Sequence, residues 1–280
     1  MTTQTERNDR EDIPHDRYRG KKAITRAATS QIALTTVTVI TIGAIWEYLS
    51  WLDPRLWPEI ILSKPTEIVP AFLEAVTTGF VWRNFWVTLQ EVVIGFAIGA
   101  SGGFILGALV ALVSTFRKAF YPIIILIQSM PKSALAPMFI AWFGFGITSK
   151  VALAITICFF PVLVNTVTGL TTVDEHSFLL MRSLRASTFQ IFTRLRMPAA
   201  LPAVFAGLKT ALTLALIGAI VGELVGASEG AGHLIATATF QFRMDDVFAY
   251  LLMLAFFGLA LFSFSEAIER KIVFWHGDTD

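Results

Sequence analysis

Six long apolar runs constrain this chain more than any other feature. A run of about 20 apolar residues is long enough to cross a hydrocarbon core of about 30 Å as a helix. A soluble helix would instead carry polar residues at every turn of its outer face. Charged residues make up 15% of the 280 residues, against about a quarter in a soluble domain. We therefore predict an all-α, polytopic membrane helix bundle with six transmembrane helices, at approximately residues 30–52, 86–113, 119–143, 150–170, 204–226 and 247–269.

The loops between these runs alternate in charge. Basic residues collect before the first run, after the last, between the second and third, and between the fourth and fifth. Because basic residues concentrate on the cytoplasmic side, we predict a multi-pass protein of the cell membrane with both ends in the cytoplasm. The predicted parts are a basic tail at 1–29, a transmembrane domain at 30–270 and a second tail at 271–280.

The N-terminal tail carries the basic cluster Arg17, Arg19, Lys21, Lys22 and Arg26. Nucleic-acid binding is one interpretation of such a cluster. The commoner one is an anchor beside the first membrane helix, so we expect contact with lipid and no nucleic-acid partner.

The loop at 53–85 contains a helix-start pattern. Pro65 follows Ser63, and Glu67 lies in what would be the first turn. We predict a short amphipathic helix on the outer surface of the bundle, with Ile68, Phe72 and Val76 on one face.

Glycines recur every fourth residue in the second run, and they share one face of a helix. Small residues let a neighbouring helix approach closely inside a membrane, so this face is predicted to pack tightly. The sequence leaves open whether the neighbour belongs to the same chain or to a second copy. The glycines are Gly95, Gly99, Gly103 and Gly107.

The third run is interrupted by Pro131, Lys132 and Pro137, a short distance after Gln128. Each proline removes a backbone donor, and such irregularity inside a membrane needs a covering of protein or water. A lysine at this depth is a candidate functional residue. It could equally serve structure, because carbonyl groups freed by the prolines could accept from its ammonium group. Glu223 is a candidate counter-charge.

The loop at 171–203, called the coupling loop below, contains two short helical patterns separated at Arg185 and Ala186. Ser187 and Gln190 have the spacing of a capping box and open the second helix, whose apolar residues are Phe189, Phe192 and Leu195. Met197-Pro198 and Leu201-Pro202 are predicted to close it. Exposed apolar and basic side chains favour a docking surface, although a loop resting on lipid headgroups would look similar.

The coupling loop resembles the signature loop of ABC importer permeases, whose pattern is Glu-Ala-Ala, three residues, Gly, nine residues, an aliphatic residue, one residue and Leu-Pro. The end of the pattern falls on Leu195, Met197 and Pro198, whereas Leu179-Leu180-Met181 and Arg185 replace its beginning and its glycine. Other stretches resemble the nitrate, sulfonate and taurine type of permease: Lys64-Pro65-Thr66, Gly95-Phe96, Pro131–Pro137, Trp142–Gly146, Phe160-Pro161, Asn165, Gly169-Leu170 and Val173-Asp174.

This resemblance implies a type I ABC importer permease that forms the pathway for a small anionic or polar solute, such as a sulfonate or a vitamin precursor. It implies three partners: a second permease chain in a homodimer, a cytoplasmic ATPase that binds ATP and Mg²⁺, and an extracytoplasmic solute-binding protein. The residues expected along the pathway are Gln128, Lys132, Asn165 and Glu223. Those expected to couple to the ATPase are Arg185, Ala186, Ser187, Phe189, Gln190, Phe192, Leu195 and Pro198.

The residues themselves leave other functions open. An ion-coupled secondary transporter is the main alternative and would need embedded carboxylates, for which Glu91 and Glu223 are candidates. The sequence lacks a Gly-x-x-x-x-Gly-Lys-Ser/Thr phosphate loop, so the chain is not expected to be an enzyme. The four scattered histidines and the single Cys158 form no pattern typical of a metal site, and we expect no cofactor bound by this chain.

Overall fold

Helices form the fold of this chain in the computed structural model, which describes residues 16–52 and 63–275, with side chains from residue 33 onward except Leu52 and Ser114. The all-α prediction is confirmed, because these ranges contain helices and no strand. The α-helices are α1 Asp16–Leu52, α2 Pro65–Thr77, α3 Gly79–Leu112, α4 Ser114–Gln128, α5 Ala136–Phe143, α6 Ile147–Thr171, α7 Glu175–Ser183, α8 Thr188–Ile191, α9 Met197–Gly226, α10 Ala231–Phe240 and α11 Met244–Ile272.

Helix α1 belongs to one compact unit of the structure, and the described residues from Thr66 onward belong to a second. Helix α1 contains an apolar stretch at Ala33–Trp51 that is long enough to cross a membrane. It begins at Asp16, so the helix continues through residues that were predicted as a polar tail. The remainder of that tail, at 1–15, and the end of the C-terminal tail, at 276–280, lie outside the described residues.

Helix α6 is the central helix of the second unit, because glycines let both α3 and α9 approach it closely. The four glycines predicted to pack tightly lie against it: a Cβ added to Gly95 would come within 2.6 Å of the Ala154 Cβ, and one added to Gly107 within 2.9 Å of the Leu163 carbonyl oxygen. On the opposite side, a Cβ on Gly218 would lie 2.9 Å from the Ala154 Cα. The neighbour left open by the sequence is therefore α6 of the same chain.

The third apolar run is broken, as its prolines predict. Helix α4 ends at Gln128, a 3₁₀ turn covers Lys132–Leu135, and α5 begins at Ala136. The two halves are bent by 82°, and Pro137 lies in the first turn of α5. Within the described ranges, five helices are long and apolar enough to span a membrane, or six if this bent pair forms one span.

One prediction is wrong: Pro198 and Pro202 do not end the second helix of the coupling loop. Helix α8 passes through a π-helical segment, Phe192–Arg196, directly into α9. The wider turn lets the Met197 N–H donate to the Phe192 carbonyl oxygen. Pro198 lies in the first turn of α9, where its missing N–H costs little.

The short helix α2 begins at Pro65 with Glu67 in its first turn, as predicted. Its buried residues are Ile68, Ala71 and Ala75, and the Phe72 ring lies 6.0 Å from the ring of Phe256 on α11. Val76 is exposed, so the buried face is rotated slightly from the predicted one. The rotation follows from the small alanines, which let the helix lie close to the bundle.

Candidate functional site

Both short helices of the coupling loop begin with side-chain caps. Asp174 accepts from the backbone N–H and the hydroxyl of Ser177, each at 2.8 Å, and these hydrogen bonds lower the pKa of Asp174. Ser187 and Gln190 form the predicted capping box: the Gln190 N–H donates to the Ser187 hydroxyl at 3.2 Å, and the Ser187 N–H donates to the Gln190 Oε1 at 2.8 Å. The caps define where both helices start.

Arg185 occupies the turn between α7 and α8 with a φ of 56°. Its N–H donates to the Arg182 carbonyl oxygen, and the Ala186 N–H donates to that of Met181. These two bonds form a Schellman motif, which usually places glycine at the left-handed position. The turn is thus built in the ordinary way although an arginine replaces the glycine, at a backbone cost of about 1–2 kcal/mol.

Three aromatic side chains of the coupling loop have different surroundings. Phe189 is 74% exposed. Phe192 packs against the buried cluster Ala111, Leu170, Ala200 and Val204. The guanidinium groups of Arg182 and Arg196 each lie 5.3 Å from the centroid of the Phe178 ring. All three line one cavity of about 620 Å³. Phe189 is therefore free to contact a partner, whereas Phe192 holds the loop to the bundle.

The residues predicted along the pathway lie in two separate places. At the break after α4, the Lys132 ammonium donates to the Gln128 carbonyl oxygen at 2.8 Å and lies 4.9 Å from the centroid of Phe160 on α6. Asn165, also on α6, donates to the Pro161 carbonyl oxygen at 2.8 Å. Lys132 thus satisfies a carbonyl at the helix break.

Glu223 lies elsewhere, near the end of α9, and is 1% exposed. Its carboxylate accepts from the Thr88 hydroxyl at 2.7 Å and from the Gly232 N–H at 2.6 Å. The Thr88 hydroxyl in turn accepts from the Ala231 N–H at 2.8 Å, and the Asn84 Oδ1 accepts from the Gly230 N–H at 2.8 Å. Glu223 therefore fixes the start of α10 and is not the counter-charge of Lys132.

Two further buried charges accompany Glu223. Glu91 on α3 and Lys150 at the start of α6 are each 2% exposed. Charged side chains are rarely fully buried without partners. This buried polar cluster, Asn84, Thr88, Glu91, Lys150 and Glu223, lies at the end of α6 opposite the coupling loop.

The family described as "Binding-protein-dependent transport system inner membrane component" matches residues 99–274, a range that includes the helix break, α6, the coupling loop and α9 to α11. The chain belongs to this family. It is a membrane-spanning permease subunit of an ABC importer, as the resemblance of its loop predicted.

Individual relatives agree with this assignment. The permease is 32% identical to the putative aliphatic sulfonates transport permease protein SsuC of Bacillus subtilis over 83% of each chain. It is 34% identical to the riboflavin transport system permease protein RibX of Chloroflexus aurantiacus, over 85% of this chain and 88% of that one. Its fold is similar to a chain of the MetNI methionine ABC transporter in an inward-facing conformation, with a TM-score of 0.62 and 17% identity, covering 69% of the permease and 96% of that chain.

The sequence did not identify Asn84, Thr88 or Lys150 of the permease as members of a cluster. Each lies on a different turn or helix, and no local spacing connects them. The one sequence signal for the cluster was the pair of carboxylates within apolar runs, Glu91 and Glu223. Buried carboxylates require hydrogen-bond donors or a counter-charge nearby.

Proposed function

We propose that this permease carries a small polar organic solute inward, driven by a separate ATPase that docks on the coupling loop. The observation that carries the proposal is the exposed Phe189 at the start of a capped helix. A large apolar side chain held at 74% exposure on a helix fixed by a capping box is typical of an interface anchor. ATP and Mg²⁺ would bind to the ATPase.

The remaining coupling residues support this docking surface in different ways. Ser187 and Gln190 hold the start of α8, and Arg185 with Ala186 forms the turn before it. Phe192 packs against the buried cluster that includes Ala200 and Val204 of α9. Leu195 lies in the π-helical segment between α8 and α9, and Pro198 lies in the first turn of α9. Only Phe189 is proposed to contact the ATPase directly through an apolar ring.

The proposed assembly contains a second copy of the permease and an extracytoplasmic solute-binding protein, in the cell membrane. The family description, a binding-protein-dependent system of the inner membrane, supports both the binding protein and the location. The N- and C-termini and the coupling loop are proposed to face the cytoplasm, because basic residues concentrate there.

The solute class is proposed from the relatives and from the break after α4. The relatives are named for aliphatic sulfonates and for riboflavin. Both are small organic molecules that carry polar groups. Gln128, Lys132 and Asn165 are proposed to lie along the pathway, where the Lys132 ammonium adds positive potential.

The docking proposal is tested by replacing Phe189 with Asp. Position 189 is in the first turn of α8, where a carboxylate is favourable, so the loop should keep its fold. Loss of an aromatic anchor costs about 2 kcal/mol at an interface, roughly 30-fold in affinity. We expect the variant to retain membrane insertion, to lose co-purification of the ATPase and to lose uptake.

The matched control is Phe240→Asp. Phe240 is 83% exposed at the end of α10, at the other end of the bundle, and its replacement should leave ATPase co-purification unchanged. Phe192→Asp is unsuitable because Phe192 packs into the bundle. Normal co-purification and uptake in Phe189→Asp would contradict the docking proposal.

A further inference from the structure

A cavity of about 620 Å³ lies between the coupling loop and the end of α3. Its volume is within the range of about 300–1,000 Å³ that is usual for a small-molecule site. Two arginines, Arg182 of α7 and Arg196 of the π-helical segment, contribute positive charge to its wall. The apolar residues of the wall are Leu112, Phe178, Phe189, Ile191 and Phe192. A ligand that fits this cavity would therefore combine an anionic group with an apolar part.

The two arginines have no anionic partner in the part of the chain that the structure describes. Each guanidinium group lies 5.3 Å from the centroid of the Phe178 ring, and neither pairs with a carboxylate. None of the described lining residues is acidic. Arg196 is half-buried, and its Nε has no hydrogen-bond partner among the described residues. Because two cations on one wall repel each other, an anion between them would stabilise the folded loop.

The cavity lies at the level of the lipid headgroups. Helix α3 carries the exposed Trp82 and Trp86 near its other end, and tryptophan is enriched at membrane–water interfaces. Leu112, which lines the cavity, lies about 39 Å farther along the helix than Trp86, at about 1.5 Å per residue. A bilayer is about 40–45 Å thick including its headgroups. The end of α3 therefore reaches the headgroups on the side of the coupling loop.

We infer that this cavity binds an anionic phospholipid, with the phosphate group between Arg182 and Arg196 and the start of the acyl chains against the apolar wall. Planar guanidinium groups donate paired hydrogen bonds to phosphate oxygens. Basic pockets at the cytoplasmic ends of transmembrane helices are typical sites for anionic headgroups. Phe189 also lines the cavity, but it is 74% exposed, so most of its ring remains available to the ATPase.

Other occupants match the cavity less completely. A zwitterionic phospholipid also carries a phosphate, but its own ammonium group would lie close to the two arginines and oppose binding. A soluble organic phosphate would neutralise the arginines and leave the apolar wall beside Leu112 without a partner. An acidic side chain of the ATPase would do the same. Only the anionic lipid satisfies both parts of the wall, and the experiment separates these four occupants.

The test measures which lipid stays bound when the full-length permease, without the ATPase, is released from nanodiscs and analysed by native mass spectrometry. The nanodiscs contain equal amounts of phosphatidylglycerol and phosphatidylcholine. The wild type should retain phosphatidylglycerol in preference by at least about ten-fold, because two charge-assisted contacts distinguish the two lipids. An excess of glycerol 3-phosphate, which has the phosphate but no acyl chain, should not displace the lipid. These comparisons need no variant.

Variants then assign the two arginines. Arg182→Gln and Arg196→Gln should each lower the preference by at least about five-fold. Because Arg182 is exposed, Arg182→Gln tests the site even if the half-buried Arg196 also supports the fold of the loop. The matched control is Arg194→Gln, which removes the same charge from the same segment at an exposed position that does not line the cavity. Its preference should equal that of the wild type.

Equal retention of the two lipids by the wild type would overturn the inference, and displacement by glycerol 3-phosphate would assign a soluble anion instead. An equal loss in Arg194→Gln would indicate general attraction of the loop to the membrane and no site. Unchanged retention in both cavity variants would also overturn it, and a concurrent loss of ATPase co-purification would assign the arginines to the ATPase. The proposed function is tested separately through Phe189→Asp.

Discussion

Thr88 connects three elements through one hydroxyl group. The hydroxyl donates to Glu223 on α9 at 2.7 Å and accepts from the Ala231 N–H at the start of α10 at 2.8 Å. Thr88 is fully buried on α3, so water cannot replace either bond. Thr88 is thus one of three side chains, with Asn84 and Glu223, that hold the start of α10 in place.

Thr88→Val keeps the side-chain shape but removes both hydrogen bonds. Each buried group left without a partner costs about 1–3 kcal/mol, so we expect the free energy of unfolding in detergent to fall by about 2 kcal/mol or more. Thr210→Val is the control, because the exposed Thr210 hydroxyl bonds only to a carbonyl of its own helix. Equal stability of the two variants would show that the Thr88 bonds contribute nothing.

Arg185 is in a conformation that an arginine adopts only at a cost. Arg185→Gly should stabilise the Schellman turn by about 1 kcal/mol, since glycine has no Cβ penalty at positive φ. Amide hydrogen exchange of residues 185 and 186 should then slow about five-fold, given that 1.4 kcal/mol equals a factor of ten. Arg185→Ala retains the Cβ and should leave exchange unchanged; faster exchange in Arg185→Gly would contradict the assigned strain.

At the scale of the helices, two neighbouring glycines of α3 provide a matched test of packing. A Cβ on Gly103 would come within 2.5 Å of the Phe159 carbonyl oxygen, whereas one on Gly102 would lie 3.4 Å from the flexible edge of the Phe159 ring. Gly103→Ala should destabilise by about 1–3 kcal/mol through overpacking. Gly102→Ala should be neutral or stabilising, because alanine favours helix by about 1 kcal/mol.

The measurement is thermal unfolding of both variants in the same detergent. A lower midpoint for Gly103→Ala alone supports close contact of α3 and α6 within one chain. Equal midpoints would indicate that α6 can move away without cost.

Features of single helices could be predicted from the sequence, whereas contacts between helices could not. The apolar runs, the break at Pro131 and the Ser187–Gln190 cap each depend on neighbours within a few residues. The path of α8 through Pro198 was mispredicted, because a π-helical segment relieves the missing donor and has no simple sequence signal. The pairing of Thr88 with Glu223 depends on tertiary packing across 135 residues.

At the scale of the whole molecule, the orientation in the membrane is a prediction. Single cysteines at Thr188 in the coupling loop and Ser228 after α9 occupy exposed positions at opposite ends of the bundle. An impermeant thiol reagent added outside cells should label only Ser228→Cys. The native Cys158 is fully buried and should not react, which the wild type verifies. External labelling of Thr188→Cys would reverse the proposed orientation.

We propose that this permease moves its solute inward at the expense of ATP hydrolysed by a docked partner. An ion-coupled transporter would share the apolar helices and the embedded carboxylates but would depend on an ion gradient. The two mechanisms therefore differ in what drives the complex and in their dependence on the coupling loop.

The most direct measurement is solute uptake into proteoliposomes that contain the permease with its ATPase and an added solute-binding protein. We predict that uptake requires ATP on the side of the coupling loop, persists when proton and sodium gradients are collapsed, and is lost in Phe189→Asp. Uptake driven by an ion gradient without ATP, and unchanged in Phe189→Asp, would contradict it.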